Sequence, residues 1–137
     1  MQNAIRWSLF AAVLVVLPAC SKAGSGQSPA GSKEAAAPVI SAETRKEAEE
    51  IFSTRCMTCH GATGKGDGPA SAGLTPRPRN FQDAAWQKSV ADEHIEKIIQ
   101  YGGAAVNKSA AMPSNPDLVA KPATVTALRA HVRQLAR

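Results

Sequence analysis

Cys56-Met57-Thr58-Cys59-His60 is the stretch of this chain whose residue types and spacing carry chemistry. Two cysteines separated by two residues, with histidine directly after, form the attachment signature of a c-type haem. Each thiol adds across one of the two haem vinyl groups. The spacing on a helical turn sets both sulfurs along one haem edge. The next residue then lies beneath the iron, where the imidazole of His60 can coordinate it as the proximal axial ligand. Two other chemistries use paired cysteines. A thioredoxin-like redox pair needs alternating strands and helices around the motif, and a zinc knuckle needs a second Cys or His pair at ligand spacing. The chain offers neither.

A haem iron held by one histidine needs its sixth position explained. The candidates are Met57, Met112, His94, His131 and an open site. Met57 lies between the two attached cysteines, on the proximal side, and cannot reach across the haem plane. His94 and His131 sit in predicted helices beside apolar positions, where a lone histidine reads as a boundary or core residue. Met112 lies in a polar loop between the last two predicted helices, stiffened by Pro113. A loop can cross an open haem face without using a helix, so Met112 is the expected distal ligand.

The elements that must position these residues follow from apolar spacing and punctuation. Ser41 is an expected N-cap, with Glu43, Thr44 and Glu47 enriching the first turn. Ala48, Phe52 and Cys56 then recur at steps of four, so one helical face runs into the attachment motif. Glu43, Glu47 and Glu50 fall on another face and read as solvated. The glycine-rich run from Gly61 to Pro69 is not a phosphate loop, because no Ser or Thr follows Gly64-Lys65 and no strand precedes it. Nor does Asp67 alone make a calcium site. The glycines read as the steric condition for a tight loop under the haem edge. Prolines hold Thr75 to Phe81 extended. Asp83 to Gln87 is expected to form one helical turn with Trp86 inward. A clearer helix starts at Ser89 or Asp92, carries Ile95, Ile98 and Ile99 on one face, and stops at Gly102-Gly103. Pro122 opens a last helix with Val125, Leu128, Val132 and Leu135 on one face. Aromatic residues make up only 4% of the chain, thin for a self-sufficient core. Such a domain is expected to depend on a buried haem for its folding.

The first residues bear on compartment. Arg6 precedes an apolar run from Trp7 to Leu17, which has the length of a signal-peptide core and is short for a permanent membrane span. It ends in Leu17-Pro18-Ala19-Cys20, which resembles the bacterial lipoprotein signal, with Pro18 an unusual occupant. In that pattern Cys20 is lipidated and becomes the first residue. Ordinary cleavage after Ser21 is the alternative. Cysteine arithmetic favours lipid: Cys56 and Cys59 go to haem, Cys20 to the anchor, and no thiol is left unassigned. The expected organisation is a signal peptide over 1–19, a flexible tether over 20–40 and a haem domain over 41–137. The tether is rich in Ala, Gly, Ser and Pro, and as a random coil it spans roughly 25 Å. The formal charge of +5 falls by one with loss of Arg6. No basic run interleaves with stacking aromatics, so nucleic acid is not an expected partner. A mildly basic face suits docking onto an acidic redox protein.

With these motifs in place, the chain resembles a class I monohaem cytochrome c from about Ala42 to Arg137. Cys56, Cys59 and His60 match the attachment and proximal residues of that family, and Met112-Pro113 resembles its distal ligand loop. Pro69, after Gly68, resembles the family proline whose carbonyl accepts the proximal imidazole N–H, a bond that fixes ring orientation. Ala48 and Phe52 resemble its first helix, which packs across the last. His131 departs from the aromatic often found there, which makes core packing its expected role. Gly66-Asp67-Gly68-Pro69 and Pro78-Arg79-Asn80-Phe81 resemble a bacterial subgroup of electron carriers and respiratory fusion domains. The resemblance implies an all-α cytochrome c fold, three main helices plus one or two short ones around one covalently attached haem c. It further implies one-electron transfer by His/Met-ligated iron, in a membrane-tethered periplasmic carrier or an accessory subunit of a redox complex rather than an enzyme in its own right. A haem enzyme or gas sensor with a vacant or displaceable distal site is the alternative class. Attachment of this kind resembles a process on the far side of the bacterial inner membrane, in agreement with the signal.

Overall fold

The computed structural model describes residues 40–136. The expected signal peptide, the expected lipid attachment at Cys20 and the expected tether up to residue 39 lie outside the described residues. Ile40, the last residue of the expected tether, packs against the core.

Five α-helices follow one another, with no strand among the described residues. The three longer ones are α1 (Ala42–Ile51), α4 (Asp92–Tyr101) and α5 (Pro122–Gln134); the short ones are α2 (Met57–His60) and α3 (Ala84–Ser89). Single 3-10 turns occupy Pro69–Ser71, Ala104–Val106 and Pro116–Leu118. The expected all-α architecture is what the chain adopts. Its boundaries follow the local chemistry. The Ser41 hydroxyl accepts the Thr44 N–H at 3.2 Å and starts α1. The Asp83 carboxylate takes the N–H groups of Ala85 and Trp86 and starts α3. Asp92 and Glu93 place negative charge in the first turn of α4, where the helix dipole favours it. Pro122 sits in the first turn of α5, where its missing N–H costs no hydrogen bond.

α1 and α4 both pack against α5. The core between them holds Ala48, Ile51 and Phe52, then Ile95 and Ile99, then Val125, Ala127, Leu128 and Val132, with Leu118 fully enclosed. Burying a side chain such as Leu118 or Leu128 contributes about 1.5–3 kcal/mol. Polar ties close the edges of this core. Glu47, which reads as solvated in the sequence, instead accepts from Lys121 Nζ at 2.7 Å and from Thr124 Oγ1 at 2.8 Å, joining α1 to the start of α5. The Arg133 guanidinium donates to the carbonyls of Gln87 at 2.6 Å and Val90 at 2.8 Å and to the Asp92 carboxylate. Its planar fork joins acceptors in α3, in the following turn and at the start of α4. Arg129 pairs with Asp92 and with Glu96.

Between α1 and α2 the helix does not continue regularly. Phe52–Cys56 forms a π-helical turn, with the Met57 N–H donating to the Phe52 carbonyl. The Ser53 and Thr54 hydroxyls both turn back to the Glu50 carbonyl, at 2.9 and 2.7 Å. Such back-bonding competes with the regular ladder and bends a helix, and single π turns are frequent at functional sites. Ala48 and Phe52 still share the buried side, and Cys56 still packs against the core. The expected continuous face is therefore present, carried through a wider turn.

Candidate haem site

Cys56 closes the π-helical turn, and Cys59 and His60 belong to α2. Both cysteines are free thiols and partly buried. Burial pushes the Cys56 thiol up to about 11, so it stands protonated near neutral pH. His60 is also partly buried. Burial lowers its pKa, partly opposed by a backbone hydrogen bond with Arg79, and the ring is thereby favoured in its neutral, ligating form.

The ring orientation is set from outside the motif. His60 Nδ1 lies 3.2 Å from the carbonyl oxygen of Arg79. A carbonyl can only accept, so Nδ1 carries the proton and Nε2 keeps its lone pair. The same ring stacks on Phe81, centroids 4.4 Å apart and planes 15° from parallel. Phe81 is backed by Trp86 at 5.7 Å, and the Arg79 guanidinium lies over Trp86 at the same distance. The extended segment is pinned on both sides: the Phe81 N–H donates to the Gly64 carbonyl at 2.7 Å, Gln82 Nε2 to the Thr63 carbonyl at 2.9 Å, and Gln87 Nε2 to the Phe81 carbonyl at 2.7 Å. Gly66 makes this approach possible. Its φ is +77°, and a Cβ there would collide with the Pro78 carbonyl, so only glycine suits the position.

Pro69 does not take the role that the resemblance implies for it. The imidazole's partner is Arg79, ten residues later. The chain passes the motif twice. On the first pass Gly66 and Gly68 donate their N–H groups to the carbonyls of His60 and Cys59, at 2.8 and 3.1 Å. Pro69 then opens the 3-10 turn, exposed to solvent. On the second pass the chain is held extended around Pro76 and Pro78, and it brings a free carbonyl to the ring. Sequence reading missed Arg79 and Phe81. The available signal was the proline-bounded extended run, which leaves backbone acceptors without helical partners.

Met112 lies on the loop between α4 and α5, partly buried. Its N–H donates to Ser109 at 3.2 Å, and its carbonyl accepts from Gly103 at 3.0 Å. Gly102, at φ +77°, lies so close that a Cβ would stand 2.8 Å from the Met112 carbonyl oxygen. The expected helix stop therefore also seats the Met112 loop. Met57 is exposed, at 37%. His94 is partly buried on α4. His131 packs its ring against Phe52, centroids 4.4 Å apart, where α1 meets α5. The structure thus brings Cys56, Cys59 and His60 together and carries Met112 on a separately anchored loop.

The donor set fits a covalently held haem. Two partly buried free thiols lie at attachment spacing, followed by an imidazole whose tautomer leaves Nε2 to bind iron. Among the described residues no group of three or more His, Cys, Asp or Glu side chains converges as a site for a bare metal ion. Among the described residues, no helix is long and apolar enough to cross a membrane. Compared with known proteins, the chain matches the family model described as Cytochrome c over residues 46–136. No curated protein matches it. The motif, the oriented imidazole, the helical fold and this match agree: the chain belongs to the cytochrome c family, whose members carry covalently attached haem c and serve haem-based electron transfer.

Proposed function

We propose that this cytochrome is a one-electron carrier, or an electron-transfer subunit of a respiratory chain, in which His60 and Met112 would ligate the haem iron. A haem c bound here supplies a reversible ferric–ferrous couple. Cys56 and Cys59 would hold it by thioether bonds, and His60 Nε2 would ligate the iron. The Met112 thioether, neutral and soft, favours the ferrous state and raises the potential relative to a second imidazole. Methionine at that position also excludes oxygen, peroxide and small substrates, which separates a carrier from a haem enzyme or gas sensor. The observation that carries the reading is the bond between His60 Nδ1 and the Arg79 carbonyl. It leaves the Nε2 lone pair free to ligate iron and would raise the basicity of the ring.

The anchor belongs to the same proposal. Cys20, lipidated after removal of residues 1–19, holds the domain at the periplasmic side of a bacterial membrane, and residues 20–40 act as the tether. This arrangement allows one domain to exchange electrons with redox proteins on either side of its reach. The support is the Leu17-Pro18-Ala19-Cys20 pattern and the absence of any other assignment for that thiol.

Two measurements test this. The ferric holoprotein should show a methionine–iron band at the red edge of its spectrum and titrate as a single one-electron couple. A high-spin spectrum without the band, with ready carbon monoxide binding after reduction, would replace the carrier with a ligand-binding haem protein. Intact mass of the native mature protein should show a diacylated Cys20 as the first residue; an unmodified chain starting at Lys22 would remove the anchor.

A further inference from the structure

Arg55 stands directly before the first attachment cysteine, and its guanidinium reaches across the fold. Nη1 lies 3.0 Å from both carboxylate oxygens of Asp117 and 3.3 Å from Asn115 Oδ1. Asn115 is itself a junction. Its Nδ2 donates to the Ile99 carbonyl at 2.7 Å, and its backbone N–H donates to the Gln100 carbonyl at 2.9 Å. These bonds tie the chain three residues beyond Met112 to the last turn of α4. The other end of the loop is tied by the Gly103 N–H, which donates to the Met112 carbonyl. Asp117 lies in the 3-10 turn Pro116–Leu118, whose Leu118 is fully buried. One side chain therefore links the haem attachment turn, the end of α4 and the exit of the Met112 loop.

We infer that Arg55 is a positioning residue: through Asn115 and Asp117 it sets the spacing between the attachment turn and the Met112 loop, and so holds methionine on the iron against competing ligands. This rests on Met112 being the distal ligand. The attachment turn moves with the haem because two covalent bonds join them, whereas the methionine is held by coordination alone. A tie between turn and loop then resists loop withdrawal without touching the iron. Arg55 and Asp117 are 45% and 48% exposed, so the effect is modest and sensitive to salt.

The test is imidazole binding to the ferric holoprotein, followed through loss of the methionine–iron band. Arg55→Gln and Asp117→Asn should each keep the band and bind imidazole about threefold more tightly, the scale of an exposed ion pair with added hydrogen bonds. Raising salt from about 0.01 M to about 1 M shortens the screening length from roughly 30 Å to 3 Å. Imidazole affinity of the parent should rise with it, and rise less in either variant. Unchanged affinity in both variants, with the band present in the parent, would overturn the inference even if their thermal midpoints fell, because that result describes a stabilising ion pair only. A parent lacking the band would overturn the Met112 assignment, and this inference with it.

Discussion

The imidazole of His60 lies flat against the ring of Phe81, 4.4 Å between centroids, while its Nδ1 faces the carbonyl of Arg79, two residues earlier in the same segment. One short extended run therefore sets both the tilt of the His60 ring and its tautomer. Neither control comes from the attachment motif itself. The motif supplies the donor atoms, and the second pass of the chain aims them.

Phe81 should consequently matter for both stability and ligation. It is buried and also packs with Trp86. Phe81→Ala removes the stacked face and leaves a cavity, at a cost of about 3–5 kcal/mol. Chemical denaturation of the holoprotein measures that loss. Phe81→Leu should recover most of the stability and little of the stacking, which leaves the proximal ring freer to rotate. Paramagnetically shifted resonances of His60 should broaden or split in the leucine variant. A leucine variant with parental shifts would show that the Arg79 carbonyl alone orients the ring.

Much of this arrangement was legible in the sequence, for a physical reason. Covalent attachment demands local spacing, so Cys56, Cys59 and His60 stand together along the chain. Helix ends are also local events, and Ser41, Gly102 and Pro122 marked them. Features made by chain return were not legible. The Arg79 contribution is a backbone carbonyl, which every residue has, so no side-chain type announces it. Glu47 looked solvated because Lys121 and Thr124 lie more than seventy residues away. The π-helical turn at Phe52–Cys56 widens the helix by one residue without disturbing the four-residue apolar steps that revealed the helix.

Removing the attachment thiols tests how far the polypeptide core suffices. Cys56 packs against the core directly, and the chain is poor in aromatics. The double variant Cys56→Ala with Cys59→Ala should unfold with a low, broad thermal transition and a reduced denaturant slope, as expected when a cofactor-dependent domain loses its cofactor. A sharp transition at the parental midpoint would show that the helices hold one another without haem.

His131 gives the domain a pH dependence that can be separated from the haem. Burial against Phe52 lowers its pKa, opposed by nearby Glu49. A histidine depressed in the folded state takes up its proton more readily when unfolded. The unfolded state then binds more protons, and stability rises with pH through that window. Stability is present above the unfolded pKa near 6.5. It is lost as pH falls from there toward the lower folded value, with no further loss from this group below it. His131→Phe keeps the ring contact and removes the proton. The denaturant midpoint of the parent should therefore fall relative to that of the variant from pH 7.5 to pH 5. A constant difference would mean that the ring does not titrate differently in the two states.

The Met112 assignment has the sharpest consequence. Met112→Ala removes the thioether while Cys56, Cys59 and His60 still hold the haem, so the protein should still mature and fold. The loop's own anchors at Gly103, Ser109 and Asn115 are backbone or neighbouring groups and survive the change. Water, His94, His131 or Lys108 can move toward the iron, and the spin state of the ferric variant depends on which does. Two results do not depend on it. The methionine–iron band should disappear, and the midpoint potential should fall, because ferrous iron loses its soft partner. Reduced Met112→Ala should also bind carbon monoxide readily where the parent resists it. Met57→Ala is the internal control: that side chain is exposed, lies between the two attached cysteines, and should leave band, potential and carbon monoxide binding unchanged. If Met112→Ala retained the parental band and potential, the sixth ligand would lie elsewhere, and a carrier closed to small ligands would need another residue to close it.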